Sequence, residues 1–553
     1  MARRKSAPYS EREAIEPMTR RSFLHTGALG AGSALLAVQA SPGSGQGSTG
    51  AEPSAIRGPI FNQDDSEFFS TRSPEQMSGE EVDAWVDGLA AAEVGTLMSC
   101  VCAARTNYAS AAWEPRWTGY DPNGPDDQPV LAHLPPESIA GVRQWVESEK
   151  RLADLGVNFH ERAFARCKQH GIGAWASIRM NDLHDCHLPD SPLLSTFYKT
   201  HRDQNLIRVP YRYSGWPDRA LNYGRQDVRD YTMALVREVL GFRGIEGLEL
   251  DWMRFGYHFQ IGKELEGGRI LTEWIGEVRG LCRQAAEREG HPVLLGCRVP
   301  STPETARSLG LDGAAWAKEG LIDLLVPTPF WATCEFNMPI RTWARLLEGT
   351  GCALAGGLEI RYQPMPGGPA IMNTPELASG AAMAVLNDGA DQVYLFNYFF
   401  LGHLQGLWTE GAHRATLAAL RDVERLDPLP RRHVVTYRDV LAPGEAAAHP
   451  LPATAGLCQF RLKTGPKPVG RTVEVVLEME SAPADPANGL RVRVNSVPCP
   501  APRSESPAIL TYAVPDEALA DDEHVIEVEC AEATPVRLTR VEVVIGPADQ
   551  SRR

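Results

Sequence analysis

The chain has 553 residues, of which 43% are hydrophobic, so it is long enough for one large folded domain and at least one smaller one. Its formal net charge of -15 repels polyanions over the screening distance. The composition therefore disfavours general binding to nucleic acid or to an anionic membrane surface, and no nucleic acid partner is expected.

The first forty residues predict an export signal instead of a folded element. The segment TRRSFL at 19–24, followed by a small-residue apolar run at 26–40, resembles a twin-arginine signal, and Val38-Gln39-Ala40 fits a cleavage site. The alternative is a chance arginine pair before a short membrane helix, but the run is shorter than the roughly 20 residues that a span needs. We predict a twin-arginine signal peptide at 1–40, a flexible linker at 41–56, and a periplasmic or extracellular protein with no membrane span in its mature chain.

Short apolar runs alternate with helical patterns between residues 57 and 430. This alternation predicts an α/β fold, a (β/α)8 TIM barrel, with an open doubly wound sheet as the alternative. The barrel is favoured because polar residues capable of chemistry follow the strands at their C-terminal ends, where barrel enzymes place their active sites. The predicted strands lie at 58–62, 96–102, 174–180, 247–252, 293–299, 322–326, 353–360 and 392–396.

A different pattern begins at about residue 431. Segments such as RTVEVVLEME and HVIEVEC alternate polar and apolar residues between turn signals, which is typical of antiparallel strands. Residues 431–553 are therefore predicted to form a β-sandwich accessory domain after a catalytic barrel at 57–430. This domain either packs on the barrel for stability or binds carbohydrate.

The fourth predicted strand carries two acids in an apolar run. Side chains at positions i and i+2 point to the same side of a strand, so Glu249 and Asp251 should face the barrel interior while the leucines between them face the helices. Asp251 lies nearer the mouth, where a carboxylate can be hydrated and reactive. Alternatively, both acids only accept hydrogen bonds from interior arginines such as Arg179 and Arg298.

Glu359 supplies a carboxylate across the mouth, on the seventh strand. Glycosidic bond cleavage requires two converging carboxyl groups, since one protonates the leaving oxygen and the other attacks the sugar or activates water. We predict Asp251 and Glu359 as the catalytic pair, with Glu335 on a later loop as an alternative acid. The predicted substrate-binding residues are Glu249, Arg179, Asn181, Asp182, His184, Arg254, Arg298, Trp331 and Asn397.

Four blocks of the sequence resemble a known family. They are GIGAWASIRMNDLHD at 171–185, GIEGLELDWMRF at 244–255, LLVPTPFW at 324–331 and GLEIRY at 357–362, and they resemble the bacterial glycosyl-hydrolase-like TIM-barrel proteins near the family-ten-like group. The resemblance implies glycoside hydrolysis without naming a sugar. The chain departs from the family's D-G-I-x-x-D pattern at Glu246, and it lacks the Asn-Glu that many barrel glycosidases carry on strand four.

Aromatic residues are frequent in the loops after the second and third strands, where they either stack on sugar faces or pack on one another. The segment 183–225 also holds six Lys/Arg against four Asp/Glu, which suggests an anionic polysaccharide, although pairing with local acids explains it equally well. The expected partner is therefore a carbohydrate, with an anionic polysaccharide as one candidate, and the oligomeric state is left open.

Two other functions compete with this interpretation. His184, Asp185 and His187 follow the third strand and, with Asp251, could ligate the metal of a hydrolase or deacetylase, although HDCH lacks the spacing of a helical HExxH site. The other is a non-catalytic carbohydrate-binding protein. The sequence has no phosphate-binding glycine loop, serine nucleophile elbow or Walker motif, so no cofactor and no metal are predicted.

Overall fold

A computed structural model describes residues 56–64, 66–132, 134–188, 191, 193–205, 216–483, 489–530 and 536–547. The predicted signal peptide, all but one residue of the predicted linker and the middle of segment 183–225 lie outside the described residues. Within the described part, no helix combines the length and the apolar character that a bilayer crossing requires.

Eight parallel strands close into a barrel in which each strand pairs with its neighbours in chain order and the last pairs with the first. This closed sheet confirms the predicted TIM barrel and excludes the open doubly wound sheet. The seventh strand ends at Leu358, so Glu359 follows the strand instead of lying on it. The strands are β1 Ile60–Gln63, β2 Thr96–Cys102, β3 Gly173–Arg179, β4 Gly247–Asp251, β5 Leu294–Pro300, β6 Leu324–Thr328, β7 Ala353–Leu358 and β8 Gln392–Phe396.

Helices connect the strands and cover the outside of the barrel. In the helix Gln226–Val239, Val228, Leu235 and Val239 recur at helical spacing and are buried, so this face packs inward. The longer helices are Gly79–Ala91, Pro136–Asp154, Phe159–His170, Thr196–Asn205, Gln226–Val239, Glu264–Glu289, Ile340–Leu347, Pro375–Asn387 and Glu410–Ala419. The short ones are Glu67–Ser70, Pro303–Ser308, Gly313–Lys318 and Val423–Leu426.

Side chains at alternate strand positions fill the barrel interior. Trp175, Leu324 and Tyr394 belong to an interior cluster, whereas Leu248 belongs to the larger core that includes the surrounding helices. Trp175 fits because its partner on β4 is Gly247, where any side-chain carbon would overlap the indole ring. The strands therefore hold a packed core with polar groups above it.

Two antiparallel sheets follow the barrel, which confirms the predicted C-terminal β domain. Apolar residues of both sheets, such as Val475 and Ile526, are buried in one core. The first sheet contains Arg431–Val434, Ala453–Ala455, Val473–Met479, Arg503–Ser506, Ile509–Ala513 and Val536–Ile545. The second contains Leu457–Gly465, Leu490–Val494, Val497–Pro498 and Asp522–Cys530.

Candidate active site at the barrel mouth

The C-terminal ends of five strands bring titratable side chains to one mouth. Asp251 ends β4, Arg298 lies near the end of β5, and Glu359 directly follows β7. Arg179 ends β3, and Asp64 follows β1. All five side chains are buried, so their charges act on one another with little screening by water.

Three donors form hydrogen bonds with the Asp251 carboxyl group. Its Oδ2 accepts a hydrogen bond from Arg298 Nη1 at 2.8 Å, and its Oδ1 accepts from the backbone N–H groups of Met253 and Arg254, both at 3.0 Å. The side chains of Arg298 and Asp251 are 0% and 1% exposed. Since β4 and β5 place the two residues in register, the ion pair follows from the barrel itself. The interior arginine contact considered as an alternative role for Asp251 is thus present.

Glu249 belongs to a polar network inside the barrel. Its Oε2 accepts from Ser177 Oγ at 2.6 Å and from the Tyr394 hydroxyl at 3.0 Å, and that hydroxyl accepts from Asn62 Nδ2 at 2.8 Å. Burial and the neighbouring charge of Asp251 raise the pKa of Glu249 above its ordinary value. These contacts connect four strands, and the side chain does not reach the surface.

The side chain of Glu359 differs from that of Asp251 because no donor of the described residues forms a hydrogen bond with its carboxyl oxygens. Neither carboxyl oxygen has a partner among the described residues, although the side chain is fully buried. Burial raises the pKa of Glu359 to about 8, and the nearby Arg298 and Arg254 favour the charged form without outweighing burial. Glu359 is therefore mostly protonated at neutral pH and can donate a proton.

A second group of charges lies at the ends of β1 and β3. Arg179 pairs with Asp64 at 2.8 Å and with Asp182 at 3.0 Å, and Asp182 also accepts from His184 Nδ1 at 2.7 Å. Burial opposes ionisation of Asp182, but its cationic neighbours outweigh burial and hold the pKa of Asp182 well below its ordinary value. His184 Nε2 lies 2.9 Å from Arg254 Nη2, and because a guanidinium only donates, the imidazole carries its proton on Nδ1.

Trp331 lies at the rim of the mouth beside two guanidinium groups. The Cζ atoms of Arg254 and Arg361 are 4.9 and 4.3 Å from its ring centroid, and Arg361 Nε donates to the Trp331 carbonyl at 3.2 Å. Trp331 and Arg361 are partly exposed, whereas Arg254 is buried. Arg254 also lies over the ring of Phe396, which contacts Arg298 in turn. Arg254 thus connects the rim to the two carboxyl groups.

The two predicted asparagines have different environments. Asn181 Nδ2 donates to the Leu221 carbonyl at 3.1 Å and lies 2.9 Å from His258 Nδ1, while its Oδ1 accepts from the Leu221 N–H at 2.9 Å. Asn181 therefore connects the loops after β3 and β4. Asn397, directly after β8, has a φ of 63°, and its buried Oδ1 has no partner among the described residues. That oxygen remains available as an acceptor.

The loop that follows Arg431–Val434, the first strand of the antiparallel domain, also reaches this region, which the sequence did not predict. Asp439 accepts hydrogen bonds from the backbone N–H groups of Phe330, Trp331 and Ala332, at 3.0, 2.8 and 2.8 Å. Its neighbour Arg438 donates to Thr302 Oγ1, after β5, at 3.0 Å. Asp439 therefore fixes the loop that carries Trp331. A single aspartate in a loop gives no sequence signal for the backbone that it will contact.

Glu335, the alternative acid, is buried. Burial raises the pKa of Glu335 to about 7, while a hydrogen bond with Ser301 favours its charged form. Its Oε2 has no hydrogen-bond partner in the described chain. Three charged groups of the antiparallel domain also act on it: Asp439, Arg438 and Lys463.

The residues considered for a metal site do not converge in the structure. Among the described residues, no three His, Cys, Asp or Glu side chains are grouped closely enough to hold a metal ion. Both ring nitrogens of His184 are engaged, by Asp182 and Arg254, and Asp185 accepts from Ser191 Oγ at 2.8 Å. A metal at this position would have to displace those contacts.

The aromatic residues after β2 mostly pack within the protein. Tyr108, Trp113 and Tyr120 are buried. The Tyr108 hydroxyl donates to Glu238 Oε1 at 2.6 Å, and the Trp113 ring stacks on Tyr231 with centroids 4.4 Å apart. These three rings therefore pack within the protein and are not exposed for stacking on a sugar.

Comparison with known proteins gives weak matches only. No family model matches the chain, and no curated protein matches it. The solved structures with some similarity include an endo-β-1,4-mannanase from Thermotoga petrophila, with 11% identity over 90% of this chain and 98% of that chain and a TM-score of 0.40. Another is the PgaB (BpsB) glycoside hydrolase domain from Bordetella bronchiseptica, with 9% identity over 66% of this chain and 99% of that chain and a TM-score of 0.39. These neighbours are glycoside hydrolases, but similarity this low transfers no substrate and no site residue to this chain.

Proposed function

We propose that the protein is a glycoside hydrolase that uses Asp251 and Glu359 as its two carboxyl groups. The observation that carries this proposal is the contrast between the two acids. The Asp251 carboxyl group accepts hydrogen bonds from three donors, one of them the Arg298 guanidinium, whereas the Glu359 carboxyl group has no donor among the described residues and burial raises its pKa to about 8. Glycosidic cleavage needs one protonated carboxyl group as the general acid and one carboxylate as the base or the nucleophile, so it requires two acids in different environments.

In this mechanism Glu359 protonates the glycosidic oxygen as the bond breaks. Asp251 then acts as a carboxylate, either attacking the anomeric carbon or activating a water molecule. Arg298 orients the Asp251 carboxyl group through the hydrogen bond at 2.8 Å. Retaining enzymes hold their carboxyl groups about 5 to 5.5 Å apart and inverting enzymes about 6.5 to 9.5 Å apart, so the stereochemistry of the product distinguishes the two roles of Asp251.

One observation favours a second candidate, a carbohydrate-binding barrel without catalysis. Glu359 and Asp251 are 0% and 1% exposed, so a sugar reaches them only if side chains of the mouth move. The partly exposed groups at the rim, Trp331, His184 and Arg361, are the ones whose movement would admit a substrate. A non-catalytic protein would bind sugar at this rim and leave the two acids unused.

Hydrolysis of defined polysaccharides by the purified protein distinguishes the two candidates. Products are separated and quantified for the unaltered protein and for Glu359→Gln, with Asp154→Asn as a control because Asp154 is an exposed helix residue paired with Lys150. Reducing ends should appear with the unaltered protein and the control and should be absent with Glu359→Gln. If sugar binds and no substrate is cleaved, the non-catalytic candidate replaces the hydrolase.

Elemental analysis of the same preparation tests a metal-dependent hydrolase, since a catalytic metal would be near stoichiometric.

Export by the twin-arginine route is a separate proposal that rests on the TRRSFL segment. Replacing Arg20 and Arg21 together by lysine should leave the precursor in the cytoplasm of a producing bacterium. Cell fractionation with an antibody against the C-terminal domain measures this. Unchanged export of the double variant would contradict the proposal.

A further inference from the structure

Four guanidinium groups lie at the mouth, and they differ in their ion pairs. Arg179 pairs with Asp64 and with Asp182, and Arg298 pairs with Asp251. Among the described residues, neither Arg254 nor Arg361 has a carboxylate within ion-pair distance. Three carboxyl groups act on Arg254 from further away: Asp64 and Asp182, which are already paired with Arg179, and Glu359, whose pKa burial raises to about 8. Two cations beside one indole ring are therefore left without a local counterion.

Arg254 carries most of the cost of this arrangement. Arg254 is 5% exposed, and its Nε has no acceptor in the described part of the chain. Its Nη2 donates to His184 Nε2 at 2.9 Å, which is an uncharged acceptor. Burial lowers the pKa of the Arg254 guanidinium, and the neighbouring charge of Arg179 lowers it further. Burying a charge without a partner costs free energy. An anion bound against Arg254 would therefore offset the cost of burying its guanidinium group.

Arg361 is oriented for the same anion. Its Nε donates to the Trp331 carbonyl at 3.2 Å, which fixes the plane of the guanidinium over the indole. Within the described residues, its two terminal nitrogens have no acceptor, and the side chain is partly exposed. A planar guanidinium with two parallel N–H donors matches the geometry of a carboxylate or a sulfate. Both guanidinium groups lie over the Trp331 ring, so an anionic group bound by one of them is also close to the other.

We infer that Arg254, Trp331 and Arg361 form a subsite for a sugar residue that carries an anionic group, either a uronic acid carboxylate or a sulfate ester. This arginine subsite rests on the proposed glycosidase function for its location beside Asp251 and Glu359. Arg361 binds the anionic group through the N–H donors of its two terminal nitrogens, Arg254 neutralises it from the buried side, and the sugar ring lies beside the Trp331 indole. A neutral sugar at the same position would leave Arg254 unpaired.

The test compares matched charged and neutral ligands in calorimetric binding assays. Oligosaccharides containing uronic acid are compared with the same compounds after carboxyl reduction, and sulfated oligosaccharides form a second charged set. The protein variants are Arg361→Gln, Arg361→Lys and, as a matched control, Arg243→Gln. Arg243 is suitable because its side chain is 88% exposed and it precedes β4, at the opposite end of the barrel.

We expect at least one charged set to bind about tenfold or more tightly than its neutral counterpart, as a hydrogen bond between charged groups allows. Arg361→Gln should remove about tenfold in affinity, Arg361→Lys should restore part of it, and Arg243→Gln should have no effect. The charged set that binds distinguishes a carboxylate from a sulfate. Raised salt should weaken binding of the charged ligands alone.

The outcomes separate this inference from the proposed function. Equal affinity for charged and neutral ligands, or unchanged binding in Arg361→Gln, would overturn the anionic subsite. Hydrolysis of neutral substrates alone would also overturn the subsite while leaving the glycosidase intact. Tight binding of a charged ligand with no cleavage of any substrate would retain the subsite and reject the glycosidase.

Discussion

Asp251 and Glu359 are buried carboxyl groups at the same barrel mouth, yet Asp251 accepts three hydrogen bonds and Glu359 accepts none from the described residues. Arg298 connects them, since it donates to Asp251 at 2.8 Å and also acts on the charge of Glu359. Removing one acid therefore has a different consequence from removing the other. The predictions below start from this difference.

Glu359→Gln should lower kcat by about 10²- to 10⁴-fold, because an amide cannot supply the proton of a general acid. The free energy of unfolding should change little near pH 4.5 and should rise at neutral pH, because the amide, unlike the carboxyl group, gains no favourable charge on unfolding. Steady-state kinetics and chemical denaturation measure the two effects. Substrates with an activated leaving group need no proton and should recover much of the lost rate, and equal losses on both kinds of substrate would count against the acid role.

Activity should fall as the pH rises through about 8, because Glu359 must be protonated to act and burial raises its pKa to about 8. The same shift affects folding. The folded-state pKa lies above the ordinary value of 4.5, so the folded chain binds more protons between these pH values and stability decreases as pH rises from about 4.5 to about 8. Chemical denaturation at several pH values across this range should show that the free energy of unfolding decreases less with pH for Glu359→Gln than for the unaltered protein. Parallel curves would be inconsistent with the raised pKa.

Asp251→Asn should abolish turnover and also destabilise the fold by about 3 to 5 kcal/mol, because it leaves the buried Arg298 charge without its partner. Combining Asp251→Asn with Arg298→Met should recover part of the stability without recovering activity. A double-mutant cycle by urea denaturation measures the coupling, and additive losses would show that the pair contributes nothing.

Asp439→Asn should raise KM more than it lowers kcat, since Asp439 touches no reacting group and acts through the loop that carries Trp331. Loss of one or two of its hydrogen bonds should also cost about 1 to 3 kcal/mol of stability. Asp439→Asn should change the tryptophan fluorescence of the otherwise unaltered protein, and it should not change the fluorescence of a protein that also carries Trp331→Phe. A change in both backgrounds would show that Asp439 acts somewhere other than on this loop.

Gly247→Ala should destabilise the barrel by about 1 to 3 kcal/mol, because the added methyl group overlaps the indole of Trp175 in the filled interior. Gly276→Ala is the matched control. It lies within the helix Glu264–Glu289, its methyl group would meet open space, and alanine favours helix, so stability should rise by about 0.5 to 1 kcal/mol. Thermal denaturation compares the two, and similar melting temperatures would contradict the packing described for β3 and β4.

The positions of the strands were predictable because period-two alternation and turn signals are local properties of the chain. The same reasoning placed Asp251 and Arg298 at strand ends, although it extended β7 by two residues and so put Glu359 on the strand. It did not anticipate that Asn181 would hold two loops together, nor that Asp439 would fix the loop of Trp331. Arg361 lay within the GLEIRY block, but nothing in that block indicated a free guanidinium over an indole.

By itself, the sequence determined a (β/α)8 barrel followed by an antiparallel β domain and the presence of acids at the mouth, because each depends on residues close together in the chain. Only the tertiary structure decided which acid has hydrogen-bond donors and which is buried without a donor among the described residues. Ionisation depends on burial and on donors that are distant in sequence, such as Arg298, which lies 47 residues from Asp251. Likewise, the cations left without a counterion emerge only when every ion pair at the mouth is in place. Pairing is a property of the folded arrangement, and no single segment of the chain contains it.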